Sequence, residues 1–286
     1  MQLTNQSVIK EVLSKNGFSF KKSLGQNFLI NPTVCPKMAE SAVMDGETGV
    51  LEIGPGIGVL TAELCRVAEQ VVSIELDERL KPVLAETLAE YDNIEVVFGD
   101  AMKLDLAKII EEKFQDRKIS VCANLPYYIT SPIIMNLLES RLPFSSITVM
   151  VQKEAAERIC AKVGSRESGA VTVAVRYYSE PEVLFNVSRG SFMPAPNVDS
   201  AVIRLKVLDK PAVDVSDEKQ FFKMVRAAFE QRRKTFQNSV SAGLGISKET
   251  VKTALIECGL DENIRAEKMS MEQLAAVSNR LLELKA

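Results

Sequence analysis

The 286-residue chain reads as an α/β protein, a doubly wound and mostly parallel sheet followed by a small all-α C-terminal domain. Three observations predict this. From about residue 49, short apolar runs alternate with segments of helical periodicity. A glycine-rich turn follows the first of these runs. Beyond about residue 216 strand-like runs cease, and only amphipathic helical patterns remain. Such alternation calls for helices on both faces of a sheet, because each parallel connection must cross over it.

In order along the chain, residues 8–13 form a short helical pattern ended by Asn16-Gly17. KKSLGQNFLINP then reads as a loop, punctuated by Gly25 and Pro32, before a helix over 33–44. GVLEIG, QVVSIEL, NIEVVFGD, ISVCANL and SSITVMV are five buried strands at 49–54, 70–76, 93–100, 119–125 and 145–151. Helices over 59–68, 78–90, 106–114, 131–138 and 154–161 alternate with them, the fourth with Pro132 in its first turn. Residues 182–185 and 200–208 close the sheet, one of them antiparallel. After Asp209-Lys210-Pro211 come helices over 219–230, 232–240, 248–258 and 271–284. This sets the domains at 1–209 and 210–286.

Composition removes several classes. There is no histidine, which excludes Ser-His hydrolases, His-ligated zinc enzymes and imidazole acid–base schemes. The five cysteines are scattered without a CxxC pair, which argues against a disulfide framework or a zinc site and fits a reducing cytoplasm. The longest apolar runs, such as 53–60, are too short to cross a bilayer, and the N-terminal residues lack a secretory signal pattern. A net charge of −3 gives no global signal for nucleic acid. Two local patches are basic. Residues 1–44 carry Lys10, Lys15, Lys21, Lys22 and Lys37 against Glu11 and Glu40, and RAAFEQRRKTFQNSV carries Arg226, Arg232, Arg233 and Lys234 against Glu230. Charge runs of this size are most often solvated faces, so they support RNA contact only alongside other features.

Ligands of open α/β sheets bind beyond the carboxyl ends of the strands. There the first strand gives Glu52-Ile53-Gly54-Pro55-Gly56-Ile57-Gly58, a turn allowing close approach to bare backbone amides. The second gives Glu75, about 20 residues past the glycines, able to accept both hydroxyls of a ribose. Asp77 follows and could instead cap the next helix. The third gives Gly99-Asp100, whose carboxylate can accept from an adenine amino group. The set fits an adenosine-bearing cofactor without naming it. The pattern is E-x-G-x-G-x-G, with Val59 after Gly58, rather than the dinucleotide G-x-G-x-x-G. S-adenosylmethionine has no pyrophosphate to cradle, so a Rossmann-like class I methyltransferase sheet is favoured over a nicotinamide enzyme.

The fourth strand ends in Asn124-Leu125-Pro126-Tyr127-Tyr128, which resembles the [D/N]-x-P-[Y/F] segment of enzymes that methylate exocyclic amines. The lone pair of adenine N6 is delocalised into the ring, making it a poor nucleophile. The Asn124 side-chain oxygen and the Leu125 carbonyl can each accept an N6 hydrogen, favouring a pyramidal nitrogen with its lone pair aimed at a sulfonium methyl. Pro126 stiffens the turn, and Tyr127 can stack on the base. A neutral amine needs no general base before transfer, so a chain without histidine suffices.

As a whole the chain resembles the bacterial small-subunit (16S) ribosomal RNA adenine N6-dimethyltransferases, through KKSLGQNFL, LEIGPGIGVLT, IELD, GDA, NLPYYIT, FMPAPNVDSAVIRL and RRKTFQNSV. The resemblance implies S-adenosylmethionine-dependent conversion of two adjacent adenosines near the 3′ end of that RNA to N6,N6-dimethyladenosine. It places Asn27, Leu29, Gly54, Glu75, Asp100 and Asn124 on the cofactor. It puts Phe192 beside Tyr127 as the second aromatic around an extruded adenine, although a core aromatic before a proline turn is the other reading. Lys21, Lys22, Arg232, Arg233 and Lys234 are the expected RNA contacts. Two positions depart from the family pattern: Ala123 stands where many relatives have Gly, and Tyr128 where others have Asn. The acidic balance favours an immature ribosomal particle over naked RNA as the partner. The chain is expected to act as a cytoplasmic monomer, with neither metal nor membrane. Two rival readings are the related large-subunit enzymes of macrolide resistance, which typically read NIPY and are strongly basic, and an RNA-binding assembly factor whose methylation is secondary.

Overall fold

The computed structural model describes residues 2–18, 28–43, 48–231 and 233–284. Asn27, Lys21, Lys22 and Arg232 lie outside the described residues. The strands are β1 Phe28–Leu29, β2 Thr48–Ile53, β3 Gln70–Glu75, β4 Ile94–Phe98, β5 Lys118–Asn124, β6 Phe144–Gln152, β7 Ser179–Val187, β8 Phe192–Met193 and β9 Ser200–Val207. Seven form one sheet in the order β4-β3-β2-β5-β6-β9-β7. β4, β3, β2, β5 and β6 run parallel, and β9 joins β6 antiparallel. The chain winds outward from β2 in both directions, so a crevice opens past its carboxyl end. β1 and β8 form a separate antiparallel pair, with Leu29 opposite Phe192.

The helices α1 Gln6–Lys15, α2 Val34–Ala42, α3 Val59–Val67, α4 Lys81–Thr87, α5 Leu106–Phe114 and α6 Tyr127–Glu139 accompany the parallel strands. Each buries one apolar stripe, as α5 does with Leu106, Ile110 and Phe114 at four-residue spacing. α6 begins four residues before the expected start at 131. Pro126, with φ −54° and ψ 134°, caps it, and its carbonyl accepts from Ile129 N. Pro132 therefore lies inside the helix rather than in its first turn.

The remaining helices are α7 Lys153–Cys160, α8 Ala170–Tyr178, α9 Glu218–Glu230, α10 Phe236–Leu244, α11 Lys248–Glu257 and α12 Met271–Glu283. The chain divides into two compact units, Met1–Ala156 with Glu182–Val207, and Glu157–Pro181 with Leu208–Ala286. The second unit thus includes α8, which sequence periodicity does not reveal. Tyr177 and Tyr178 from α8 meet Phe221 and Phe222 of α9 in edge and stacked contacts, and both phenols donate to Glu218. α10 starts at Phe236, not at 232, because Thr235 caps it by accepting from Asn238 N. Arg233 and Lys234 sit in the exposed turn before that cap. No helix among the described residues is long and apolar enough to cross a membrane.

Candidate active site

The turn after β2 is built by backbone sterics. Gly54 and Gly58 have φ of +76° and +89°, in the left-handed region that L side chains rarely adopt. A Cβ at Gly58 would also lie 3.1 Å from Leu88 Cδ2. This turn leads into α3, and Gly56 N donates to Glu75 Oε2 at 3.1 Å, tying the ends of β2 and β3 together. Glu75 Oε1 accepts from Asp77 N at 2.8 Å. Burial raises the Glu75 carboxyl above its ordinary range, opposed by these amide hydrogen bonds. Asp77 does serve as a cap, accepting from Arg79 N at the head of the short 3-10 helix Glu78–Leu80. Asp100 opens a turn of its own, accepting from Met102 N at 3.0 Å and lying 3.4 Å from Lys103 Nζ.

These strand ends surround one cavity of about 340 Å³, within the size range of small-ligand sites. Gly54, Glu75 and Asp100 line it, and so do Asn124, Leu125 and Tyr127. Asn124 ends β5, paired with Met150 of β6. Leu125 is buried, and its Cδ2 lies 3.5 Å from where a Gly54 Cβ would stand, so the NLPY segment packs on the glycine turn. Tyr127 opens α6, with its hydroxyl 2.7 Å from Ser200 Oγ at the start of β9. Leu29 and Phe192, both buried, complete the wall from β1 and β8. Their pairing explains why a loop-like stretch near residue 29 reaches the site. Ile30 N donates to the Ser191 carbonyl and Asn31 Nδ2 to Ser191 Oγ, locking the two segments together.

Leu76, Met102 and Cys35 also line the cavity without having been expected there. Leu76 and Met102 follow the two strand-end acids closely, which is the signal that marks them; Cys35 had none. The first basic patch is weaker than its composition implies, because Lys15 pairs with Glu86 at 2.8 Å. No disulfide joins the five cysteines, and among the described residues no cluster of three or more His, Cys, Asp or Glu side chains could hold a metal ion.

Beneath the glycine turn lies Glu52, wholly buried, opposite Ser73 of β3 and Cys122 of β5. Its Oε2 accepts from Thr61 and Ser73 hydroxyls, and its Oε1 has no partner. Burial pushes this carboxyl up to about 7, although the two hydroxyls pull it down. A native value above the ordinary 4.5 means that folding takes up a proton between these limits. The resulting stability is complete below the unfolded value and is lost as the pH rises through the native one. Glu52→Gln should remove this slope, worth on the order of 3 kcal/mol across the window. Denaturant unfolding of both proteins at acidic and alkaline ends checks it, and parallel pH profiles would contradict it.

The sequence model of the family "Ribosomal RNA adenine dimethylase" matches residues 17–283. A protein of Geobacillus thermodenitrificans named ribosomal RNA small subunit methyltransferase A is 50% identical over 281 residues, covering 96% of this chain and 95% of its own. One of the same name from Enterococcus faecalis is 48% identical, covering 98% and 96%. Among solved structures, the 23S rRNA methyltransferase ErmE is 30% identical with a TM-score of 0.68, covering 89% of this chain and 99% of its own. A dimethyladenosine transferase from Plasmodium falciparum is 26% identical with a TM-score of 0.69, covering 87% and 95%. The chain belongs to the ribosomal RNA adenine dimethylase family.

Proposed function

We propose that the chain is an S-adenosylmethionine-dependent enzyme that converts two adjacent adenosines near the 3′ end of small-subunit rRNA to N6,N6-dimethyladenosine. The observation that carries this reading is that the NLPY segment and the acids Glu75 and Asp100 open onto one cavity. The residues fit the cofactor: a carboxylate for a ribose, a second for an adenine amino group, and a turn whose glycines carry no side chain to obstruct close approach of the ligand. When bound, S-adenosylmethionine supplies an electrophilic methyl on a sulfonium. The roles of the chain's own residues are proposed as follows. Glu75 and Asp100 fix the adenosine half, with Gly54 and Leu29 as walls. Asn124 and the Leu125 carbonyl accept the two N6 hydrogens. Tyr127 and Phe192 hold the target base between them. Positioning and electrostatic complementarity then provide the rate enhancement. For Asn27 as a cofactor contact the proposal rests on the family resemblance alone, and for Lys21, Lys22 and Arg232 as RNA contacts it rests on the two basic patches of the sequence.

The proposed partner is an immature small-subunit particle, with the chain a cytoplasmic monomer. The proposed division is a catalytic domain at 1–209 and a helical domain at 210–286; what supports it is the division into two compact units near 208, with 157–181 accompanying the helices. Small-subunit relatives match at 50% identity and the large-subunit enzyme at 30%, which favours the small subunit. Incubation with labelled S-adenosylmethionine and separate immature small and large subunits, followed by mapping of the label, tests the reading. Label on adjacent adenines of the small-subunit RNA is expected. Label on the large subunit, or binding without label, would replace it with one of its rivals.

Arg233 and Lys234 are exposed side by side in the turn before α10, where phosphates can reach both. Neutralising the pair should reduce the slope of log affinity against log salt by about 1.5. An unchanged slope in filter binding across a salt series would remove them from the interface.

A further inference from the structure

The mouth of the cavity concentrates exposed apolar surface. Among the described residues, six large apolar or aromatic side chains are exposed, and three of them, Leu76, Met102 and Tyr128, line this cavity. Isolated exposed apolar groups need no explanation, but three on one rim mark a surface shaped to be covered. Tyr128 is the most exposed of the six, at 62%.

Helix geometry gives the two tyrosines of α6 different directions. Adjacent helical residues point about 100° apart. Tyr127 turns its hydroxyl to Ser200 at the start of β9. Tyr128 shares its face with Pro132 and Asn136 at four-residue spacing, and the Asn136 amide donates to Met102 Sδ at 3.7 Å. That face of α6 therefore looks toward the turn holding Asp100 and Met102, away from Tyr127. Tyr128 and Pro132 line the cavity together with Met102.

We propose that Tyr128 is a cofactor-binding residue, its ring covering the adenosine half of S-adenosylmethionine from the α6 side while Met102 forms the adjoining wall; this rests on the reading of the cavity as the cofactor site. An aromatic face and a thioether are both favourable partners for a purine. The role depends on the aromatic ring, since an Asn at this position would offer none.

Calorimetry on the intact chain tests it, with S-adenosylmethionine and with 5′-methylthioadenosine, which presents the adenosine half alone. Tyr128→Asn should bind both ligands about three- to tenfold more weakly, while Tyr128→Phe stays near wild type, as expected for loss and retention of one stacking contact. Because the ring is exposed, neither change should lower the unfolding temperature. Unchanged cofactor affinity in Tyr128→Asn with a raised KM for RNA would overturn the inference and assign the ring to a substrate base. A loss seen with S-adenosylmethionine but not with 5′-methylthioadenosine would overturn it as well. Failure of the wild type to bind either ligand would instead sink the cofactor reading of the whole cavity.

Discussion

Asn124→Ala lowers the rate of methyl transfer at saturating cofactor and RNA by at least about a hundredfold, a loss typical of removing one preorganised hydrogen-bonding group from a transition state. The target amine is planar and conjugated before reaction and becomes a cationic, tetrahedral nitrogen as the methyl arrives. Two acceptors on its hydrogens are needed only then, so their worth appears in kcat rather than in binding. Asn124 is fitted for this role because its backbone is fixed in the β5–β6 ladder opposite Met150, and because Leu125 packs against the glycine turn. Alanine keeps both features, so the variant should unfold at nearly the wild-type temperature, and its affinity for S-adenosylmethionine, which Asn124 also borders, should fall far less than its rate. Asn124→Asp retains an acceptor oxygen and should keep more activity than alanine. Single-turnover rates, cofactor calorimetry and thermal unfolding on the three proteins separate chemistry from binding and folding. Near-normal turnover in Asn124→Ala would remove the side chain from the reaction.

The strands were legible because buried parallel strands are continuous apolar runs, and the place of Glu75 and Asp100 on the cavity because each is a polar residue where such a run stops. Other features depended on partners distant in sequence. Leu29 owes its place to a two-residue pairing with Phe192, and no local pattern encodes that contact. AVTVAVRYY in α8 is rich in β-branched and aromatic residues that disfavour helix locally, and its packing on Phe221 and Phe222 overrides them. Pro132 suggested a helix start, yet it sits in the second turn of α6, where its missing N–H leaves the Tyr128 carbonyl without that donor. Thr235 illustrates the reverse case, since its hydroxyl caps α10 within a stretch expected to be helical from 232. Glu52 stood in plain view as the first residue of the glycine pattern. Only its burial between Thr61 and Ser73 separates its structural position from that of Glu75, which reaches the cavity.

Glu75→Ala should weaken S-adenosylmethionine binding by about a hundredfold or more while slowing transfer far less at saturation. A buried carboxylate accepting two hydroxyls forms two charge-assisted hydrogen bonds, each worth about 1.5–3 kcal/mol. They are made equally in the ground and transition states, since the ribose does not react, so their loss falls on affinity. Glu75 also holds Gly56 N and Asp77 N, and alanine leaves those amides to find other partners. Glu75→Gln keeps one acceptor oxygen and separates loss of charge from loss of the whole group. The pH dependence adds a second handle. Burial raises this carboxyl, and a bound ribose favours its charged form, so wild-type affinity should fall on acidification starting above the ordinary carboxylate range. Neither variant should show that fall, because neither titrates at this position. Calorimetry across pH on the three proteins is decisive. Equal affinity in wild type and Glu75→Ala, or an acid-side fall that persists in both variants, would place the ribose elsewhere in the cavity.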